Sequence, residues 1–243
     1  MSSTGIGAPV RRKEDKRFVT GKGRYVDDIN RPGQAHAYFV RSPHAHATIK
    51  SVDTSAALKM PGVVAIYTGE DVAADKVGGL ICGWMIHSKD GSPMKAGAHP
   101  ALAQGKVRYV GDHVAVVIAD TYAQARDAAE KVAVDYAPLP AVVDVATAAK
   151  ASSVIHDAAP DNTVYNWHLG DKAATDAAFA KAKHVTKLDI VNNRLVPNAM
   201  EPRAAVGEYD EGNDTLTLYT TSQNPHVRSE EHTSELQSRG LIS

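Results

Sequence analysis

The side chains best suited to chemistry in this sequence are few and far apart. Pro197-Asn198-Ala199-Met200-Glu201-Pro202-Arg203 places a carboxylate and a guanidinium two positions apart. In an extended segment positions i and i+2 share a face. Glu201 and Arg203 could therefore act together on a polar ligand, or form an ion pair or anchor a loop. His44-Ala45-His46 sets two imidazoles at the same spacing. Such a pair could supply two ligands to zinc or copper, but no Cys or His stands at the spacing of a third and fourth ligand. Hydrogen bonding near a domain contact is the favoured reading of the pair, and no metal site is assigned. Cys82 is the one cysteine. Set between apolar residues in LICGWM, it is expected to be a buried, inert thiol. The dinucleotide-binding glycine fingerprint and the phosphate loop are both absent, and Gly21-Lys22-Gly23 reads as a turn.

Composition narrows the classes. The chain has 243 residues, 43% hydrophobic and 23% charged, with a net charge of −1. That is enough for one large or two ordinary globular domains. A near-neutral balance offers no electrostatic basis for a nucleic-acid or anionic-membrane partner. A single cysteine excludes an internal disulfide framework and suits a reducing, cytoplasmic setting. The sequence has no apolar run long enough for a membrane span, and its first residues lack the apolar core of a secretory signal.

The elements that must position these side chains centre on residues 107–144. Residues 114–119 form an unbroken apolar run, the pattern of a strand buried on both faces. Thr121 with Gln124 three positions on is a capping box. Ala125, Ala128, Ala129 and Val132 then recur at helical spacing, so a helix is predicted over 122–131. Arg126 with Glu130, and Asp127 with Lys131, are placed to pair along its outer face. A second strand over 132–136 completes what reads as a compact crossover between parallel neighbours. Further strands are predicted over 35–40, 47–52 and 63–67, the last wholly buried, with a short helix from residue 55 that Pro61-Gly62 ends. Residues 18–28 read as a loop and then a short strand, and 73–98 as an irregular excursion. Beyond a linker over 145–153, the spacing predicts an alanine-striped amphipathic helix over 172–182. A half-exposed strand over 184–192 should follow, and then a hairpin of 204–208 with 215–220.

The segments TGKGRYVDD, FVRSPHAHATIKSVDTSAALKMPGVVAIYTGEDV, VRYVGDHVAVVIADTYAQARDAAEKVAVDYAPLPAV and RLVPNAMEPRA occur in this order. Together they resemble the N-terminal part of the molybdopterin-binding large subunit of the xanthine dehydrogenase, aldehyde oxidase and aerobic carbon monoxide dehydrogenase family. The resemblance implies an α+β fold, with an N-terminal α/β hammerhead domain over 17–144 and an incomplete first part of the molybdenum-cofactor-binding domain over 154–227. It implies a molybdenum hydroxylase that oxidises an aldehyde, an N-heterocycle or carbon monoxide with water as the oxygen source. The implied cofactor is molybdenum–molybdopterin. Iron–sulfur clusters and FAD are implied on a small and a medium partner subunit.

By the same resemblance, residues 197–203 border the approach to the metal, which makes Glu201 and Arg203 substrate-channel residues. Xanthine-oxidising relatives carry a glutamine a few residues upstream, where this chain has Arg194-Leu195-Val196, so that cofactor contact is not carried over. No catalytic residue of the family falls within the chain. Residues 228–238, RSEEHTSELQS, resemble the in-frame translation of a sequencing-library adapter. Residues 228–243 are therefore expected to be a non-native tail on a truncated and inactive fragment. A reading from another class is a stand-alone hammerhead-type binding module without catalysis.

Overall fold

The computed structural model describes residues 12–80, 82–192 and 195–222. The chain divides into two compact units, one of Gly33–Lys187 and one that joins Met1–Pro32 to Leu188–Ser243.

The unit Gly33–Lys187 holds six strands: β1 (His36–Arg41), β2 (Ala47–Asp53), β3 (Val63–Thr68), β4 (Lys106–Val107), β5 (His113–Ala119) and β6 (Ala133–Pro138). They form two three-stranded sheets, β1-β5-β3 and β4-β2-β6, and every pairing is antiparallel. The apolar run 114–119 is β5, the central strand of its sheet. Its side chains alternate between two apolar clusters. Val117 packs with Ala57, Ala128 and Ala129, whereas Val114 packs with Ala47, Ala103 and Val107. A strand with a neighbour on each edge and a cluster on each face has no use for a polar residue.

Helix α3 (Tyr122–Ala129) is capped by Thr121, whose hydroxyl oxygen accepts the Gln124 N–H at 3.3 Å. Its stripe of Ala125, Ala128 and Ala129 is buried. The helix stops at Ala129, so Glu130 and Lys131 fall outside it, and no ion pair forms with Arg126 or Asp127 among the described residues. The predicted parallel crossover does not form. Both edges of β5 are already taken by β1 and β3, so β6 joins the other sheet, antiparallel to β2. Strand β3 lies at a sheet edge with Val64 62% exposed, so it is covered on one face only. At the turn before β3, Gly62 has φ +77°, and the Gln124 side chain fills the space where a Cβ would project.

Two other expectations fail in this unit. Helix α4 (Lys172–Lys181) forms, and its Asp171 cap accepts the Ala174 N–H at 2.9 Å, but none of its residues is buried. An alanine stripe offers little apolar area, and no described element covers it. Cys82 is exposed, its thiol directed at the Trp84 carbonyl oxygen at 3.3 Å. It lies in the irregular stretch after α2 (Gly69–Ala74), which builds no core around it.

In the second unit, β7 (Ala205–Asp210) and β8 (Thr215–Thr220) form the predicted hairpin, with Ala205 opposite Thr220 and Asp210 opposite Thr215. The Asp210 carboxylate accepts the Gly212 N–H at 2.9 Å and the Asn213 amide at 2.7 Å. These bonds close the turn and hold the Asp210 pKa below the usual carboxylate value, the Asn213 bond most strongly. The strand predicted over 184–192 is absent: its described residues are irregular and exposed. A strand acquires its backbone hydrogen bonds from a neighbour, and none is present among the described residues. The reading of 18–28 as loop and strand is also replaced, by helix α1 (Asp15–Val19) and a 3-10 turn over Val26–Asp28. The adapter-like stretch 228–238 lies outside the described residues.

Candidate functional site

The second unit contains a cleft of about 510 Å³. One wall is the arm 17–31, and the other is Glu201 with the end of the hairpin, Tyr219 and Thr221. The arm is shaped by its glycines. After α1, the Lys22 N–H bonds the Arg17 carbonyl oxygen at 2.9 Å and the Gly21 N–H bonds that of Phe18 at 3.1 Å. That is the Schellman arrangement, and it requires the left-handed conformation Gly21 adopts at φ +69°. Gly23 lies against the Phe18 ring, where a Cβ would come within 2.9 Å of it. The 3-10 turn follows, its start capped by Asp28, which accepts the Tyr25 N–H at 2.8 Å.

Glu201 sits at the centre of this arrangement. One of its carboxylate oxygens accepts the Val26 N–H at 3.2 Å and the Thr221 hydroxyl at 2.9 Å. Val26 is buried, so its N–H needs a partner within the protein. The carboxylate thus joins the arm, the 197–203 segment and the end of β8. Arg31 makes a second junction. Its guanidinium lies 4.9 Å over the Tyr219 ring, donates to the Tyr219 hydroxyl and pairs with Glu208 at 3.2 Å. The Tyr219 hydrogen bond first, and then the Glu208 charge, raise the Arg31 pKa above its ordinary value.

Of the two residues singled out in 197–203, Glu201 lines the cleft and Arg203 does not. Arg203 is exposed, and no ion pair joins it to Glu201 among the described residues. Arg17, Lys22, Arg24, Arg31 and Tyr219 entered the cleft without being anticipated. The glycine spacing of TGKG was the one local signal, and it identified a turn rather than a wall.

The two histidines of 44–46 belong to the unit Gly33–Lys187 and stand on a bend rather than on one strand face. Nδ1 of the buried His46 donates to the Pro140 carbonyl oxygen at 2.9 Å, and its Nε2 has no hydrogen-bond partner among the described residues. His44 meets the Tyr136 ring edge-on, with centroids 4.9 Å apart. No group of three or more His, Cys, Asp or Glu side chains among the described residues could hold a metal ion.

Two family models match the chain in tandem. The description of the first is aldehyde oxidase and xanthine dehydrogenase, a/b hammerhead domain, and it covers residues 20–140. The second is the molybdopterin cofactor-binding domain, over residues 155–237. The chain belongs to the xanthine dehydrogenase and aldehyde oxidase family of molybdopterin enzymes. It is 39% identical to the carbon monoxide dehydrogenase large chain of Afipia carboxidovorans, with 92% of this chain and 28% of that protein aligned. With the nicotine 6-hydroxylase large subunit of Paenarthrobacter nicotinovorans the identity is 37%, over 91% of this chain and 26% of that subunit. The solved structure of reconstituted CO dehydrogenase from Oligotropha carboxidovorans superposes with a TM-score of 0.74 at 37% identity, over 93% of this chain and 28% of that one. The α+β hammerhead fold and the start of the cofactor-binding domain follow from these matches. The chain spans between a quarter and a third of the relatives' length. Among the described residues no helix is long and apolar enough to cross a membrane.

Proposed function

We propose that this chain is part of the large, catalytic subunit of a molybdenum hydroxylase. The reaction is oxidation of an aldehyde, an N-heterocycle or carbon monoxide, with the added oxygen taken from water. The observation that carries this reading is the tandem order of hammerhead and molybdopterin-domain matches on one chain, over 20–140 and 155–237. In this reading the hammerhead domain runs over 17–144 and the start of the cofactor domain over 154–227, a boundary ten residues short of the end of the second match at 237. Residues 228–243 would be a non-native tail, for which the likeness of RSEEHTSELQS to a translated adapter is the support.

The cofactor in this reading is molybdenum–molybdopterin, which supplies the redox chemistry while protein groups orient and exclude. Iron–sulfur and FAD-binding subunits would carry the electrons away. Support for a multi-subunit assembly comes from the relatives' names, which include a large chain and the gamma subunit of the 6-hydroxypseudooxynicotine dehydrogenase complex. The assembly would work in the cytoplasm. Glu201 serves as a wall residue of the substrate approach, held by the Val26 N–H and the Thr221 hydroxyl, and Arg203 stands outside the cleft on the same segment. In this reading the 243 residues alone would be inactive; the support is that they span 28% of the carbon monoxide dehydrogenase large chain they match.

The test is metal analysis of the native assembly, with dye-linked oxidation of carbon monoxide, an aldehyde and quinoline. Stoichiometric molybdenum and turnover of one of the three are expected. An assembly without molybdenum that oxidises none of them would refute the reading.

A further inference from the structure

The cleft of the second unit has an electrostatic imbalance that the redox reading does not use. Four cationic side chains line it, against the two carboxylates of Asp28 and Glu201. Both carboxylates are turned to internal work, Asp28 on the Tyr25 N–H and Glu201 on the Val26 N–H and the Thr221 hydroxyl. Arg31 has its own carboxylate in Glu208. No acidic side chain pairs with Arg17, Lys22 or Arg24 among the described residues. The Schellman turn at Gly21 ties the backbone of Lys22 to that of Arg17, which keeps the two residues adjacent along the arm, and the Arg17 guanidinium lies 5.1 Å from the centre of the Phe18 ring.

We infer that this cleft is a binding site for a small phosphate-bearing molecule, held by Arg17, Lys22 and Arg24. A multiply charged oxyanion satisfies three cations at once, and guanidinium groups match phosphate geometry. The volume of about 510 Å³ lies in the range of small-molecule sites and exceeds what a lone phosphate fills. The inference does not rest on the redox reading, although the cleft is the one in which that reading makes Glu201 a wall of the substrate approach.

Titration calorimetry of the full chain tests it, at constant ionic strength, with inorganic pyrophosphate in one arm and glycerol 3-phosphate in the other. Saturable one-site binding is expected in at least one arm. Preference for pyrophosphate identifies free phosphate as the source, and preference for the ester identifies an organic phosphate. Lys22→Gln and Arg24→Gln should each weaken binding about tenfold, the usual worth of one charge-assisted contact. Lys150→Gln, on the other unit, should leave it unchanged. All three side chains are exposed, so unaltered circular dichroism is expected and checks that the variants fold. Unsaturable heats, an equal loss in Lys150→Gln, or binding of a polyglutamate peptide where neither phosphate binds would overturn the inference.

Discussion

Replacing Val117 by Ala tests the claim that β5 organises the larger unit. Val117 is fully buried and packs against Ala57, Ala128 and Ala129, with Tyr38, Val40 and Ile66 around them. The substitution removes two methyl groups, about 1.6 kcal/mol of transfer free energy at about 0.8 kcal/mol per group. The neighbours are held by a helix and two flanking strands, so the space cannot fully collapse, and a cavity contribution raises the loss to about 2–3 kcal/mol. In a protein of this size that lowers Tm by about 5–10 °C. Val114→Ala should cost a similar amount, because Val114 is equally buried in the opposite cluster. The two clusters share no member, so the double variant should be additive within about 0.5 kcal/mol. Val64→Ala, on the exposed face of edge strand β3, should cost less than about 0.5 kcal/mol. Urea and thermal unfolding followed by far-UV circular dichroism measure all four. Equal midpoints for Val117→Ala and Val64→Ala would refute the two-faced burial of β5.

Glu201→Ala should speed amide hydrogen exchange at Val26, whose N–H loses its acceptor, whereas Glu201→Gln keeps an oxygen there and should change it little. Unchanged exchange in the alanine variant would remove Glu201 from its anchoring role. Gly62→Ala should destabilise by about 1–2 kcal/mol, because L side chains resist positive φ and the new Cβ meets Gln124. Gly78→Ala, which projects into open space, should be near neutral by the same melting assay. Burial lowers the pKa of His113 and of His156, with Arg41 adding to the first and Arg108 to the second. The unfolded chain therefore binds protons that the folded chain refuses. Stability should be complete above the ordinary histidine value of about 6.5 and fall as pH drops below it towards the depressed folded values. A melting temperature that rises on acidification through that window would contradict the assignment.

What the sequence determined by itself was local or carried by several motifs together. The apolar run of β5, the Thr121 cap with its alanine stripe and the β7–β8 hairpin each depend on residues close in the chain. Their steric and hydrogen-bonding preferences are complete within the segment. The family was legible for another reason: four long motifs in fixed order constrain identity more than any one of them does. Only the tertiary structure decided where β6 pairs, since that depended on β1 and β3 having already taken both edges of β5. It also decided that α4 would form with an uncovered face and that 184–192 would not become a strand, since burial and sheet hydrogen bonds require a neighbour. The cleft was the least legible feature. Val26 meets Glu201 across 175 positions and Arg31 meets Tyr219 across 188. Contacts at such separations leave no periodicity in the sequence, because they exist only once the chain has folded back on itself.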